Sequence, residues 1–230
     1  MHIFVTGTDT GVGKTVVTAL CLAHLQAAGV RVRALKPFCS GERNDAVLLW
    51  ELQDRQITLD EVNPFFFPMP IAPWTAAQAS GQRITLDQTL ARIRRQSNDG
   101  DVVLIEGAGG LLAPLGDLFS AADLIRELRS EVIVVAANRI GVLNHALLTI
   151  EALAARNVDR VKIALSEGGM EDESTKTNEA DLRRLIGHIP LFKIPHLGDG
   201  LAQADSYRSA AVRLAKELEA LVSCGSASNP

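Results

Sequence analysis

The chain predicts a single α/β domain: one doubly wound, mostly parallel sheet with helices on both faces. Three observations lead there. Short apolar runs alternate with segments of helical periodicity along almost the whole chain, the pattern of parallel strands joined by crossover helices. Two of those runs, 102–105 (VVLI) and 132–137 (VIVVAA), are continuously apolar, as strands buried on both faces are. No internal repeat and no linker divides the sequence.

The elements follow in order. Residues 2–6 (HIFVT) read as a first strand running into glycine. From Lys14 to Ala28 the apolar Val16, Leu20, Ala23 and Ala27 recur at helix spacing, and Gly29 is a natural stop. Residues 30–35 (VRVRAL) alternate like a second strand. The stretch 63–76 (NPFFFPMPIAPWTA) holds four prolines and four aromatic residues, and the prolines exclude a regular helix or central strand there. It reads as a hydrophobic loop packed on the core, or as the wall of a site or a subunit interface. Beyond the runs at 102–105 and 132–137, Leu143, Leu147, Ile150 and Ala154 mark another helix, and 161–165 (VKIAL) and 191–194 (LFKI) two more strands. Residues 168–178 (GGMEDESTKTN) are acidic and polar and read as a mobile loop. Ala211, Leu214, Leu218 and Leu221 mark one last helix. The domain is expected to span 1–222, with 223–230 a flexible tail.

Composition narrows the function. Of 230 residues, 47% are hydrophobic and 22% charged, a globular balance that excludes wholesale disorder. Lys plus Arg number 23 against 27 Asp plus Glu, a net charge of −4, so there is no basic surplus to bind nucleic acid. Cys21, Cys39 and Cys224 form no C-x-x-C, and the five histidines have no ligand spacing, which argues against a disulfide scaffold or a zinc site. No apolar run approaches the ~20 residues of a membrane span, and Met1 leads straight into a strand without room for a signal peptide. A cytoplasmic protein with no membrane partner is expected.

Chemistry concentrates at the strand ends. Between the first strand and first helix lies Gly7-Thr8-Asp9-Thr10-Gly11-Val12-Gly13-Lys14-Thr15, a variant phosphate loop of the P-loop NTPase kind. Small residues let successive backbone N–H groups turn toward a polyphosphate, Lys14 reaches its terminal phosphates, and the Thr15 hydroxyl can hold Mg²⁺. A strict loop would carry glycine at position 8, where Thr8 stands. Glu106-Gly107-Ala108-Gly109-Gly110 follows the run 102–105; a carboxylate there can hold Mg²⁺, though Glu106 could instead cap a following helix. Lys36-Pro37-Phe38-Cys39-Ser40-Gly41 ends the second strand, so Lys36 would bring a second cation to a transferring phosphoryl group unless it is an ordinary surface lysine. Asp45 could supply a second metal-side carboxylate, and Cys39, without a neighbouring base, reads as a small buried thiol. Gly141-Val142-Leu143-Asn144-His145-Ala146 opens a helix, where Asn144 and His145 could do no more than cap it.

Together these segments resemble the dethiobiotin synthetase family: GTDTGVGKT (7–15), KPFCSG (36–41), RNDA (43–46), VNPFFF (62–67), PMPIAPWTAA (68–77), EGAGGLLAPL (106–115) and Gly141 through LNHALLT (143–149). The resemblance implies a homodimer that uses ATP and Mg²⁺ to close the cyclic urea of dethiobiotin from 7,8-diaminopelargonic acid and carbon dioxide. It implies that Thr10, Lys14 and Lys36 surround the γ-phosphate and the carbamate as the catalytic groups. Asp9, Thr10, Gly11, Val12, Gly13, Lys14 and Thr15 would bind the nucleotide, and Thr15, Asp45 and Glu106 the Mg²⁺. Ser40, Ala108 and Gly109 would lie against the diamine, and Asn144, with backbone near Gly141, would reach the substrate carboxylate from the other subunit. Where the family commonly reads adenine with an asparagine after the fifth strand, this chain has Ser166-Glu167, so its base selectivity is relaxed or shifted to another nucleoside triphosphate. An unprotonated amine must attack, so activity should rise from neutral toward mildly alkaline pH. The alternative is a partitioning-type (ParA-like) nucleotide-switched ATPase; its signature lysine would fall at position 9, where Asp9 stands. An amidoligase with its own glutaminase domain does not fit within this length, and a binding-only relative would have no use for Lys14, Lys36 and Glu106 together.

Overall fold

A computed structural model describes residues 1–98, 100–168, 172–198 and 203–223. Apolar runs become strands: β1 His2–Gly7, β2 Val32–Leu35, β3 Phe38–Ser40, β4 Phe65–Phe67, β5 Val102–Glu106, β6 Pro114–Gly116, β7 Phe119–Ser120, β8 Glu131–Ala137, β9 Val161–Ser166 and β10 Leu191–Ile194. Between them lie the helices α1 Lys14–Ala27, α2 Asn44–Leu52, α3 Leu59–Val62, α4 Pro73–Ala79, α5 Leu86–Arg94, α6 Ala121–Leu128, α7 Val142–Ala154, α8 Glu173–Ile186, α9 Ala204–Arg213 and α10 Ala215–Val222.

Six strands form one sheet in the order β10-β9-β8-β1-β5-β2, with every neighbouring pair parallel. Alternation along β1 sends Phe4 into one apolar layer and Ile3 and Val5 into the other. Leu90, Ile125, Ala146 and Leu182, from α5 to α8, fill the first layer. Leu20, Leu49, Ala210 and Leu218, from α1, α2, α9 and α10, fill the second. Both faces are therefore covered, as a parallel sheet requires. From β1 the chain winds one way to β5 and β2 and the other way to β8, β9 and β10, which places a ligand crevice at the carboxyl end of β1.

Several expectations need correction. Residues 172–178 of the expected mobile loop instead begin α8: Asp172 accepts from the backbone N–H groups of Ser174 and Thr175 as its N-cap, while 169–171 lie outside the described residues. The last helix is two helices, α9 and α10, broken at Leu214 (φ −104, ψ 18). In 63–76 the prolines do not prevent regular structure. α4 starts at Pro73, in the first turn where no N–H is needed, and β4 pairs with β3 outside the main sheet. Neither Asn144 nor His145 caps α7; the N-cap is Gly141, whose φ of 92° suits glycine alone. Of the expected tail, residues 224–230, with Cys224, lie outside the described residues. No helix among the described residues is long and apolar enough to cross a membrane.

Candidate active site

The crevice at the end of β1 is built on the phosphate loop. Gly13 (φ 97°) is the N-cap of α1, and a side chain there would strike the Ser166 hydroxyl at 2.8 Å, so Ser166 packs directly under the loop. The Thr8 backbone N–H donates to Val135 O at 2.9 Å, tying the loop to β8. Asp9 bends its carboxylate back to accept from the Thr10 N–H at 2.7 Å. The Lys14 ammonium donates to Asp9 O at 2.8 Å. Burial, then the neighbouring charge of Lys36, lowers the Lys14 pKa to about 8.

Opposite the loop, the two edge-side strands end in charge. Glu106, the last residue of β5, is fully buried and accepts at one oxygen, Oε1, from both Lys36 Nζ (2.5 Å) and the Thr15 hydroxyl (2.7 Å). Its role is therefore not that of a helix cap. Lys36, immediately after β2, is buried and so no surface lysine; it also meets Asp45 Oδ2 at 3.1 Å and Gly107 O at 3.2 Å. Burial opposes its charge, but the Glu106 and Asp45 carboxylates outweigh burial and hold its pKa above the ordinary lysine range. Asp45 sits in the first turn of α2, half-exposed. The second Glu106 oxygen, Oε2, is buried with no hydrogen-bond partner.

A cavity of about 740 Å³ opens over these groups, lined by Thr10, Lys14, Thr15, Lys36, Asp45 and Glu106. Gly11, Gly13, Ser40, Ala108 and Gly109 also face it. The Ser40 hydroxyl is a buried atom with no hydrogen-bond partner. Pro70 to Pro73 close one wall, whereas Phe67 packs in the core and Phe65 stacks on Phe38. The stretch thus divides between core packing and the cavity wall. Cys39 lines the cavity as a buried thiol whose pKa burial pushes up to about 11, which leaves it no nucleophile. Oxygen donors from Thr15, Asp45 and Glu106, one of them unpaired and buried, make a hard-cation donor set that fits Mg²⁺. A second cleft of similar volume, near Arg31 and Arg208, already pairs its carboxylates: Asp101 with Arg31 and Asp54 with Arg208.

Gly141 and Asn144 are exposed at the start of α7 and do not line the cavity of their own chain. Beside them, a groove of about 300 Å³ runs between Thr8, Gly110, Leu112, His145 and Leu148. Sequence reasoning assigned no role to Asn63 or Arg43, which lie behind Lys36 and Asp45, nor to Asn138 and Asn178. Asn138, at the end of β8, donates to Glu167, and its carbonyl oxygen accepts from Asn178 at 2.8 Å. The sequence signals for these were the segments RNDA (43–46) and VNPFFF (62–67), which hold Arg43 and Asn63, and a polar residue ending a buried strand (138).

A family model described as an AAA domain matches residues 1–198. A curated ATP-dependent dethiobiotin synthetase BioD of Anaeromyxobacter sp. (strain Fw109-5) is 38% identical over 202 residues, covering 86% of this chain and 91% of that protein. The protein of the same name from Bacillus subtilis (strain 168) is 32% identical over 197 residues, covering 83% and 85%. Among solved structures, a putative plasmid partition protein of Borrelia burgdorferi B31 bound to AMPPNP aligns with a TM-score of 0.61 at 12% identity, over 96% of this chain and 97% of that one. At that identity the likeness carries the fold and nothing about activity.

Proposed function

The chain belongs to the dethiobiotin synthetase family, and from that premise we propose how its own residues run the reaction. The protein is an ATP-dependent ligase that forms the carbon–nitrogen bonds of dethiobiotin. One amine of 7,8-diaminopelargonic acid adds to carbon dioxide and loses a proton, giving a carbamate. A carbamate oxygen then attacks the γ-phosphorus and expels ADP. The second amine attacks the activated carbonyl, loses a proton and expels phosphate, closing the urea. Both nucleophiles belong to the substrate, so the protein needs no nucleophile of its own.

Its task is to gather cations where negative charge moves. Lys14 and Thr10, with the backbone of residues 9–15, hold the polyphosphate. Lys36 stays an ammonium by virtue of Glu106 and Asp45, so it acts by charge, steadying the carbamate and the transferring phosphoryl group, and never as a base. Thr15, Asp45 and Glu106 would hold Mg²⁺, which when bound neutralises phosphate oxygens. Ser40, Ala108 and Gly109 would take the diamine, a reading supported by the unpartnered Ser40 hydroxyl at the cavity. Asn144 and the backbone at Gly141 would hold the substrate carboxylate in a homodimer, each serving the partner's cavity. Their exposure, apart from the cavity of their own chain, supports that arrangement. Ser166, packed under Gly13, would face the nucleoside with one hydroxyl, a weaker reader of the base than an amide. Residues 1–222 act as one unit, working in the cytoplasm.

The observation that carries the reading is the single Glu106 oxygen shared by Lys36 and Thr15 at the mouth of the phosphate loop. The test is product formation. Purified protein receives the diamine, bicarbonate and Mg²⁺, with ATP, GTP, CTP and UTP separately, and mass spectrometry looks for dethiobiotin. Product with ATP, and with at least one other nucleotide, is expected; no product from any of them would overturn the reading.

A further inference from the structure

Two side chains outside the cavity tie together the loops that carry Lys36 and Asp45. Asn63, at the C-terminal end of α3, is buried, and its Nδ2 donates to the backbone carbonyl of Lys36 at 2.7 Å. The Lys36 N–H donates to Val62 O at 2.9 Å, so both backbone groups of the lysine are fixed by consecutive residues. The other end of the Asn63 amide accepts from Arg43 Nε at 2.9 Å, and Arg43 Nη2 donates to Asn63 O at 2.9 Å. Arg43 is held in turn by Asp60 at 2.8 Å and lies over the Phe66 ring, 5.0 Å from its centroid. It is also the N-cap residue of α2, and its carbonyl accepts the Val47 N–H at 2.9 Å. Where Arg43 sits fixes where the first turn of α2 begins, and with it Asp45.

We propose that Arg43 and Asn63 are positioning residues for the ligase reaction: they lock the β2 loop to the start of α2 and so set the 3.1 Å spacing of Lys36 and Asp45. Neither touches the cavity. With the clamp gone, Asp45, whose side chain is 49% exposed, is free to turn toward water, while Lys36 keeps Glu106 and the Gly107 carbonyl. The charge left at the reacting phosphoryl group is then misplaced rather than missing. A displacement of that kind acts on the chemical step, since about 1 Å of misplacement can cost about a hundredfold in rate. The phosphate loop belongs to another segment, so nucleotide affinity is untouched. The inference rests on the proposed role of Lys36.

The test compares Arg43→Gln, Arg43→Lys, Asn63→Asp and Lys36→Ala in the intact protein. For each, kcat, diamine KM, nucleotide Kd and the Mg²⁺ concentration for half-maximal turnover are measured. Arg43→Gln is expected to lower kcat about 10- to 100-fold, raise the Mg²⁺ requirement, and keep the nucleotide Kd within about twofold of wild type. Arg43→Lys should recover part of the loss in kcat. Asn63→Asp, which keeps the acceptor for Arg43 and loses the donor to Lys36 O, should behave like Arg43→Gln. If that buried variant does not fold, Arg43→Gln decides alone, the Arg43 side chain being already 22% exposed. A kcat within about twofold of wild type in Arg43→Gln overturns the proposal, as does a loss shared equally by nucleotide affinity. If Lys36→Ala is inactive while Arg43→Gln is normal, the clamp alone is refuted. If Lys36→Ala turns over normally, the reading of Lys36 falls and the clamp with it.

Discussion

Lys14 and Lys36 face one cavity from opposite walls and are buried alike, 6% and 5% exposed, yet burial ends differently for each. On the phosphate-loop wall Lys14 meets only a peptide carbonyl, and desolvation lowers its pKa to about 8. On the β2–β5 wall Lys36 meets two carboxylates and is held above the ordinary lysine range. Partners, not depth, set the outcome. The loop wall is short of negative charge, which a bound polyphosphate would supply. The opposite wall sets two carboxylates against one ammonium, so its lysine is already paired.

The largest expected effect separates the two walls. Lys36→Ala should lower turnover by at least about a thousandfold while nucleotide Kd changes little, because in its proposed role its charge acts on the transferring group. Wild-type turnover in that variant would erase the distinction. Stability should divide the same way in denaturant titrations. Lys36→Met leaves Glu106 buried without its cation and should cost about 3 kcal/mol. Lys14→Met removes a desolvated charge and should leave stability unchanged or higher; the opposite order would break the comparison.

Proton linkage gives a third, smaller test. In the free protein Lys14 is charged below about pH 8 and neutral above it. Nucleotide binding favours the charged form, so nucleotide Kd should rise above about pH 8, by up to about tenfold per unit. Turnover at saturating ATP should still rise from neutral to mildly alkaline pH as the substrate amine loses its proton. The sign for folding is set by the same shift. Between about 8 and 10.5 the unfolded chain holds the Lys14 proton that the fold releases, so this group makes the fold more stable as pH rises, and Lys14→Met should remove that increment. The smallest effect belongs to the base: Ser166→Asn should sharpen selectivity for ATP over UTP by a few-fold, read as a ratio of kcat/KM.

Both lysines were legible in the sequence, Lys14 from the glycine-rich loop that opens a helix and Lys36 because it follows a strand whose end converges with others in a parallel sheet. Glu106 was legible as an acid closing an apolar run. The elements that went unread are polar ones. α8 buries only Asn178, Leu182 and Ile186 of its fourteen residues, too few to set a period, and its Asp172 cap lies inside an acidic stretch that looks like a loop. At Leu214 the apolar spacing runs on across a backbone break, so two helices read as one. Arg43 and Asn63 lie inside two of the segments that carry the family resemblance, but they pair across twenty positions by one side-chain bond and two bonds to backbone carbonyls, a contact that no residue spacing announces.

The central claim is that the charge gathered between the two walls serves transfer of a phosphoryl group to a carbamate. Freshly dissolved ¹⁸O-labelled carbon dioxide, the diamine and ATP in unlabelled water test it directly, because the carbamate oxygen that attacks phosphorus leaves with it when the ring closes. Inorganic phosphate carrying one ¹⁸O atom, formed in step with dethiobiotin, is the expected result. Unlabelled phosphate alongside product, or phosphate released with no product, would contradict the account.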